Sequence, residues 1–203
     1  MAARAARNER EKDAMDEISK LMVEQLRDAY SAEKQALRAM PRLAKKATSQ
    51  ALKDAVQMHV EQTEHQIERL EQALDTLGAR PGRKVCEGMR GIIEEGQSEA
   101  EEHDKGPLLD TVIVAALQRV EHYEIAAYGT MAALAKAAGQ QEIANLLVQT
   151  LQEEKETDEK LTQLAESELN PAAVGEGAEE EEEGEDDAKP ASGQRGGKKR
   201  ASA

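Results

Sequence analysis

Residues 50–78 read QALKDAVQMHVEQTEHQIERLEQALDTLG. Leu52, Val56, Val60, Thr63, Ile67, Leu70, Leu74 and Leu77 recur at spacings of three and four, as on a helix with one face turned to a packed interior. Gly78 ends the pattern, and Pro81-Gly82 beyond it is a stop signal. His59 lies at the inner edge of the stripe, with Gln62 and Gln66 on the same flank. Glu61 points nearly the opposite way when successive residues are set about 100° apart.

The same periodicity flanks this stretch on both sides. A helix is expected from Met15 to Ala47, where Pro41 removes one backbone donor and should kink the helix without ending it. A weaker stretch, Glu87–His103, loses propensity to Gly88, Gly91 and Gly96. Asp104-Lys105-Gly106-Pro107 reads as a turn, and Pro107 opens a helix that runs to Ala138 before Gly139. A last helix runs from Gln140 to Leu169 and closes at Asn170-Pro171. Four long helices and one short crossing piece predict an all-α protein, a four-helix bundle over residues 15–170.

Composition supports that class. The chain has no Phe, no Trp and three Tyr, so its core must be built from Leu, Ile, Val, Met and Ala, several of them strong helix formers. Residues 1–14 are expected to be a disordered N-terminus. Residues 171–203 are expected to be a disordered acidic tail ending in a short basic segment. From residue 175 onward GEGAEEEEEGEDDAKPASGQRGGKKRASA has no periodicity and too little apolar surface to offset the entropy of ordering.

The formal net charge is −14. Residues 172–203 hold nine acidic and five basic side chains, a net of −4, which leaves −10 on residues 1–171. So acidic a domain, without aromatic platforms, is expected to bind no nucleic acid. No stretch approaches the roughly 18 unbroken apolar residues of a membrane span. The basic start MAARAARNEREKD has no apolar run behind it, so no export is expected. The single cysteine, Cys86, excludes an internal disulfide and suits a reducing cytoplasm.

Chemistry is carried where the apolar stripes are interrupted. The first helix reads Met22, Leu26, Ala29, Glu33, Ala36, Met40, Leu43, with Glu33 on the seam itself. The fourth reads Ile113, Leu117, Val120, Glu124, Ala127, Met131, Leu134, with Glu121 one turn before Glu124. The fifth reads Leu147, Leu151, Glu154, Asp158, Leu161, Ala165. With His59, each long helix carries an ionisable residue near its middle where a hydrophobe belongs. Several buried carboxylates repel one another and resist burial unless paired or metal-bound. No seam offers an adjacent inward Lys or Arg. Five carboxylates and one imidazole suit two iron ions, with manganese as an alternative. The expected ligands are Glu33, His59, Glu121, Glu124, Glu154 and Asp158.

These stretches resemble a known family. DAYSAEKQALRAMPRLAKKATS (28–49), HVEQTEHQIERLEQALDTLG (59–78), KVCEGMRGIIEEG (84–96), VEHYEIAAYGTMAALAKAAG (120–139) and LQEEKETDEKLTQLA (151–165) are similar to the YciE/YciF family of bacterial stress proteins. The resemblance covers roughly residues 17–167 and implies a ferritin-like fold, a di-metal site within the bundle, a homodimer and a role in stress responses. Ferritin-like sites usually take one Glu from each of two helices and a Glu-x-x-His pair from each of the other two. Glu33 and Glu124 match the single positions. The sequence departs at both pairs: the second helix offers His59-x-x-Gln62, or in another register Glu61-x-x-Glu64 beside His65, and the fifth has no histidine.

Other residues attract lesser expectations. Tyr30 and Tyr128, each one turn from a seam glutamate, are candidates to hydrogen-bond a ligand carboxylate, though a core role is the plainer reading. His122 and Tyr123 are weaker candidates for the same task, with His122 facing out. His65 and His103 read as surface residues, and Met22, Met40, Met58 and Met131 as core filler. Cys86 follows the basic stretch Arg80–Lys84, which could lower its pKa. The functional expectation is a cytoplasmic di-iron or di-manganese carboxylate protein. It would act as a ferroxidase that consumes dioxygen or peroxide, with Glu124 and Glu154 bridging and Glu33 and His59 terminal. The alternative is a stress-associated structural or interaction protein with a vestigial metal site.

Overall fold

The computed structural model describes residues 2–175, with side chains from residue 15 onward. Five helices follow one another: α1 (Ala2–Lys46), α2 (Gln50–Thr76), α3 (Glu87–Glu99), α4 (Pro107–Ala137) and α5 (Gln141–Leu164). α5 continues into a π-helical turn, Ala165–Leu169. The boundaries follow local chemistry. Ser49 caps α2 by accepting the Leu52 N–H at 3.2 Å, and Pro107 occupies the first turn of α4. Gly78 and Gly139, with φ of 65° and 70°, follow the ends of α2 and α4.

Three boundaries differ from the sequence reading. α1 is already helical over residues 2–14, an Ala-, Arg- and Glu-rich stretch of high intrinsic propensity. α3 stops at Glu99 rather than His103. The C-terminal helix passes Pro171 and reaches Gly175. The turn before Pro171 is widened, with the Asn170 N–H bonded to Ala165 O five residues back, which relieves the clash a proline makes in a regular α-turn. The expected tail lies outside the described residues from 176 on.

α1 packs on α2 and α4, and α5 on the same two helices, with α4–α5 the most extensive contact. The four long helices therefore close a square, and α3 lies across α1 and α4. At Gly96 of α3 an added Cβ would sit 2.7 Å from the Ala116 Cβ of α4. This glycine, which weakens the helix locally, is what lets the crossing piece lie flat.

The interior has two apolar clusters. One gathers Met40, Leu43, Leu52, Val56, Met89, Ile113, Leu117 and Leu161. The other gathers Met22, Leu26, Leu70, Leu74, Met131, Ile143 and Leu147. Along every long helix the step from one cluster to the other crosses buried polar residues: Glu33 on α1; His59, Thr63 and Gln66 on α2; Glu121 and Glu124 on α4; Thr150, Glu154 and Thr157 on α5. A polar layer is thus clamped between two hydrophobic ones. Met58, expected in the core, is 53% exposed, because α2 is rotated to bring His59 inward. No described helix is long and apolar enough to cross a membrane.

Candidate metal centre

His59, Glu121, Glu124 and Glu154 each offer one ligating atom, and these atoms all lie within 4.8 Å of one another. They come from α2, α4 and α5, and none is more than 3% exposed. His59 Nε2 stands 3.1 Å from Glu121 Oε1 and 3.7 Å from Glu154 Oε2. α1 adds Glu33, 1% exposed, whose Oε1 accepts the hydroxyl of Tyr128. Glu33 is close enough for its charge to act on His59, Glu124 and Glu154.

The layer is short of partners. Both carboxyl oxygens of Glu121, Glu124 and Glu154, together with Glu33 Oε2 and His59 Nε2, are buried with no hydrogen bond. Among the described residues no Lys or Arg forms an ion pair with these acids. Arg69, whose charge reaches Glu33, is already engaged: it grips Glu153 through two nitrogens at 2.7 Å each and donates to Thr150 Oγ1 at 2.9 Å. Asp110, another buried carboxylate of α4, shows the contrast. It accepts from Thr48 N, Thr48 Oγ1 and Ser49 N at 2.7, 2.6 and 2.7 Å, and so ties the start of α2 to α4.

The energetic consequence appears in the proton affinities. Burial, offset in part by the Tyr128 hydrogen bond, pushes Glu33 up to about 7. Burial and then the neighbouring Glu33 and Glu121 charges hold Glu124 well above the carboxylate range. Glu154 is raised likewise, by burial and then by Glu124. For His59 burial opposes protonation, but Glu121 and Glu33 outweigh it and the net shift is upward. Without a cation the centre takes up protons, because like charges crowded in a low dielectric cannot all stay ionised. An oxygen-rich, nitrogen-poor donor set whose unbonded atoms converge fits a metal cation that accepts carboxylate oxygen.

Thr157 was not picked out in the sequence. It stands three residues after Glu154, where a Glu-x-x-His pair would place histidine, and its Oγ1 is 3.3 Å from His59 Nδ1. Its hydroxyl donates to Gln62 Oε1 at 3.4 Å, so in the neutral ring its oxygen is placed to accept an Nδ1–H, the tautomer that presents Nε2 to a cation. The missing histidine slot of α5 thus orients the histidine of α2. The spacing from Glu154 was the available signal.

The structure brings Glu33, His59, Glu121, Glu124 and Glu154 together, and leaves Asp158 out. Asp158 Oδ1 accepts from Gln118 Nε2 at 3.1 Å, and its Oδ2 faces His122 Nε2 at 3.3 Å on the rim. One turn beyond Glu154 the α5 seam has drifted outward, and Thr157 takes the inward place. Glu61, Glu64 and His65 are exposed. Tyr30 turns away and donates to Glu71 at 3.0 Å. Tyr123 meets Cys86 Sγ at 2.9 Å and donates to Asp28 at 3.1 Å. Burial raises the Cys86 thiol rather than lowering it. The basic stretch before it does not compensate: Lys84 is drawn to Glu24 and Asp28 instead.

A family described as a domain of unknown function, DUF892, matches residues 17–174. Protein YciF of Escherichia coli K12 is 42% identical over 160 residues, which is 78% of this chain and 96% of YciF. The crystal structure of the E. coli stress protein YciF superposes with a TM-score of 0.71 at 43% identity, covering 75% of this chain and 97% of that one. YcfI of Rhodopseudomonas palustris gives 0.70 at 40% identity, covering 71% and 92%. A ferritin-like, diiron-carboxylate protein of Bacillus anthracis shares the fold, with a TM-score of 0.58 at 16% identity over 72% of this chain and 96% of its own.

Proposed function

The chain belongs to the YciF family, DUF892, its fold is ferritin-like, and from that premise we propose a di-metal carboxylate protein acting as a ferroxidase. Glu33, His59, Glu121, Glu124 and Glu154 would hold two iron ions, with manganese as the alternative. The observation that carries this reading is the set of carboxyl oxygens without hydrogen bonds that converge with the His59 imidazole in one buried layer. Bound iron would supply the redox capacity, two electrons passing from two ferrous ions to dioxygen or peroxide.

The chain's own residues set the conditions. The two apolar clusters exclude water and hold the acids together. Tyr128 anchors one oxygen of Glu33, and Thr157 meets Nδ1 of His59 and orients the ring. Binding a divalent cation displaces the protons that Glu33, Glu124 and Glu154 hold when the centre is metal-free, so uptake should release acid. A homodimer is part of the proposal.

Anaerobic titration with ferrous iron, followed by air, tests the reading. Two irons per chain and a ferric absorption that grows on exposure are expected, with both strongly reduced in Glu154→Gln. The lack of a histidine on α5 favours a second reading, a structural or interaction protein with a vestigial site. Absence of uptake by the wild-type chain would support that one.

A further inference from the structure

A cation bound in the polar layer needs a way in. Glu121 and Glu154 have no exposed surface, so it must enter between two helices. We propose that divalent cations dock first on a His122–Asp158 pair at the α4–α5 edge and pass from there to Glu121 and Glu154; this rests on the metal reading above.

The other three edges are each bridged by other groups. At the α2–α5 edge the Arg69 guanidinium is fixed in the seam by Glu153 and Thr150, and that closed ion pair fills the approach. The α1–α4 edge is crossed by α3. On the α1–α2 side Tyr30 bridges to Glu71. At the α4–α5 edge the polar contacts are Gln118 with Asp158 and Thr162, and His122 with Asp158. None of them involves Lys or Arg.

The pair is built to receive an ion. Asp158 Oδ1 is held by Gln118 Nε2 at 3.1 Å, and the same amide donates to Thr162 Oγ1 at 2.8 Å. The carboxylate is therefore oriented, with Oδ2 3.3 Å from His122 Nε2. Two donors bound to one transition ion at about 2.1 Å each sit roughly 3 Å apart when adjacent in its shell. The side chains are 69% exposed for His122 and 22% for Asp158, so one reaches solvent and the other leads inward. Asp158 is one helical turn from Glu154, a step of about 6 Å, and His122 adjoins Glu121 in the chain. At the inner end of that step both oxygens of Glu121 and of Glu154 are buried without a hydrogen bond.

Stopped-flow uptake of Co²⁺ by the metal-free full chain, read by the cobalt absorption, tests the route. Wild type is compared with Asp158→Asn, His122→Ala and, as a charge control, the exposed Glu159→Gln. Asp158→Asn and His122→Ala should each slow uptake about tenfold, with the final cobalt per chain and the metal-free melting temperature unchanged. Glu159→Gln should behave like wild type. Wild-type rates in both test variants would overturn the route while leaving the centre intact. So would equal slowing in the control, or a lower cobalt content, which would make Asp158 a resident ligand. No cobalt in the wild type would remove the centre itself.

Discussion

Asp110 and Glu124 are carboxylates on the same helix, each 2% exposed, and their surroundings assign them opposite energetics. Asp110 accepts three short bonds. Asp110→Ala should cost about 3 kcal/mol with or without metal, since it strands buried donors; urea unfolding measures it. Glu124 has no partner, so Glu124→Gln should stabilise the metal-free protein at pH 8 by about 1–3 kcal/mol while impairing metal uptake. A loss of metal-free stability in that variant would contradict the reading. Thr157→Val keeps the shape and deletes the contact to His59 Nδ1. It should weaken metal affinity roughly 10–100-fold with the fold retained, as an equilibrium titration would show. Glu124 stood out in the sequence because it broke an apolar stripe. Asp110 and Thr157 did not, because their roles are set by partners 62 and 98 residues away.

At the scale of elements, the helices were readable because glycine and proline punctuate them and the stripes hold their period. The rotation of each helix was read less well. A stripe defines a face some 100° wide, and within it the packing partners choose the centre. In α2 that choice buried His59 and Gln66 and left Val60 half-exposed. In α5 it put Thr157 inside and Asp158 on the rim. α3 depends on close approach rather than on periodicity. Gly96→Ala forces a Cβ into the Ala116 methyl at 2.7 Å, and should cost about 1–3 kcal/mol by overpacking. Thermal melting would show it, and an unchanged melting temperature would mean that α3 does not seat on α4 as described.

The whole molecule couples its stability to the centre. Glu33, raised to about 7, and Glu124 and Glu154, also raised well above the carboxylate range, bind protons in the fold that they release when unfolded. His59 also holds its proton more tightly in the fold. The native state thus binds more protons than the unfolded chain above about pH 4.5, and metal-free stability falls as pH rises. Glu33 alone contributes about 3 kcal/mol to that fall by the time pH passes 7. Between pH 5.5 and 8, with chelator present, the melting temperature should drop by about 10 °C. With metal bound the trend should reverse, because protons then compete with the cation for the same oxygens. A metal-free melting temperature that rises over this interval would refute the crowding of charge.

Local sequence alone specified four long helices and a short fifth, the turns between them, and a burial-resistant acid or imidazole near the middle of each long one. These follow from local propensity and from a period that each segment carries alone. Only the tertiary structure decided that those residues share one layer between two apolar clusters, that Asp158 stands outside it, and that Thr157 holds the histidine. Such facts depend on how one helix is turned against another, and that angle is set by contacts between distant segments, which no single segment encodes.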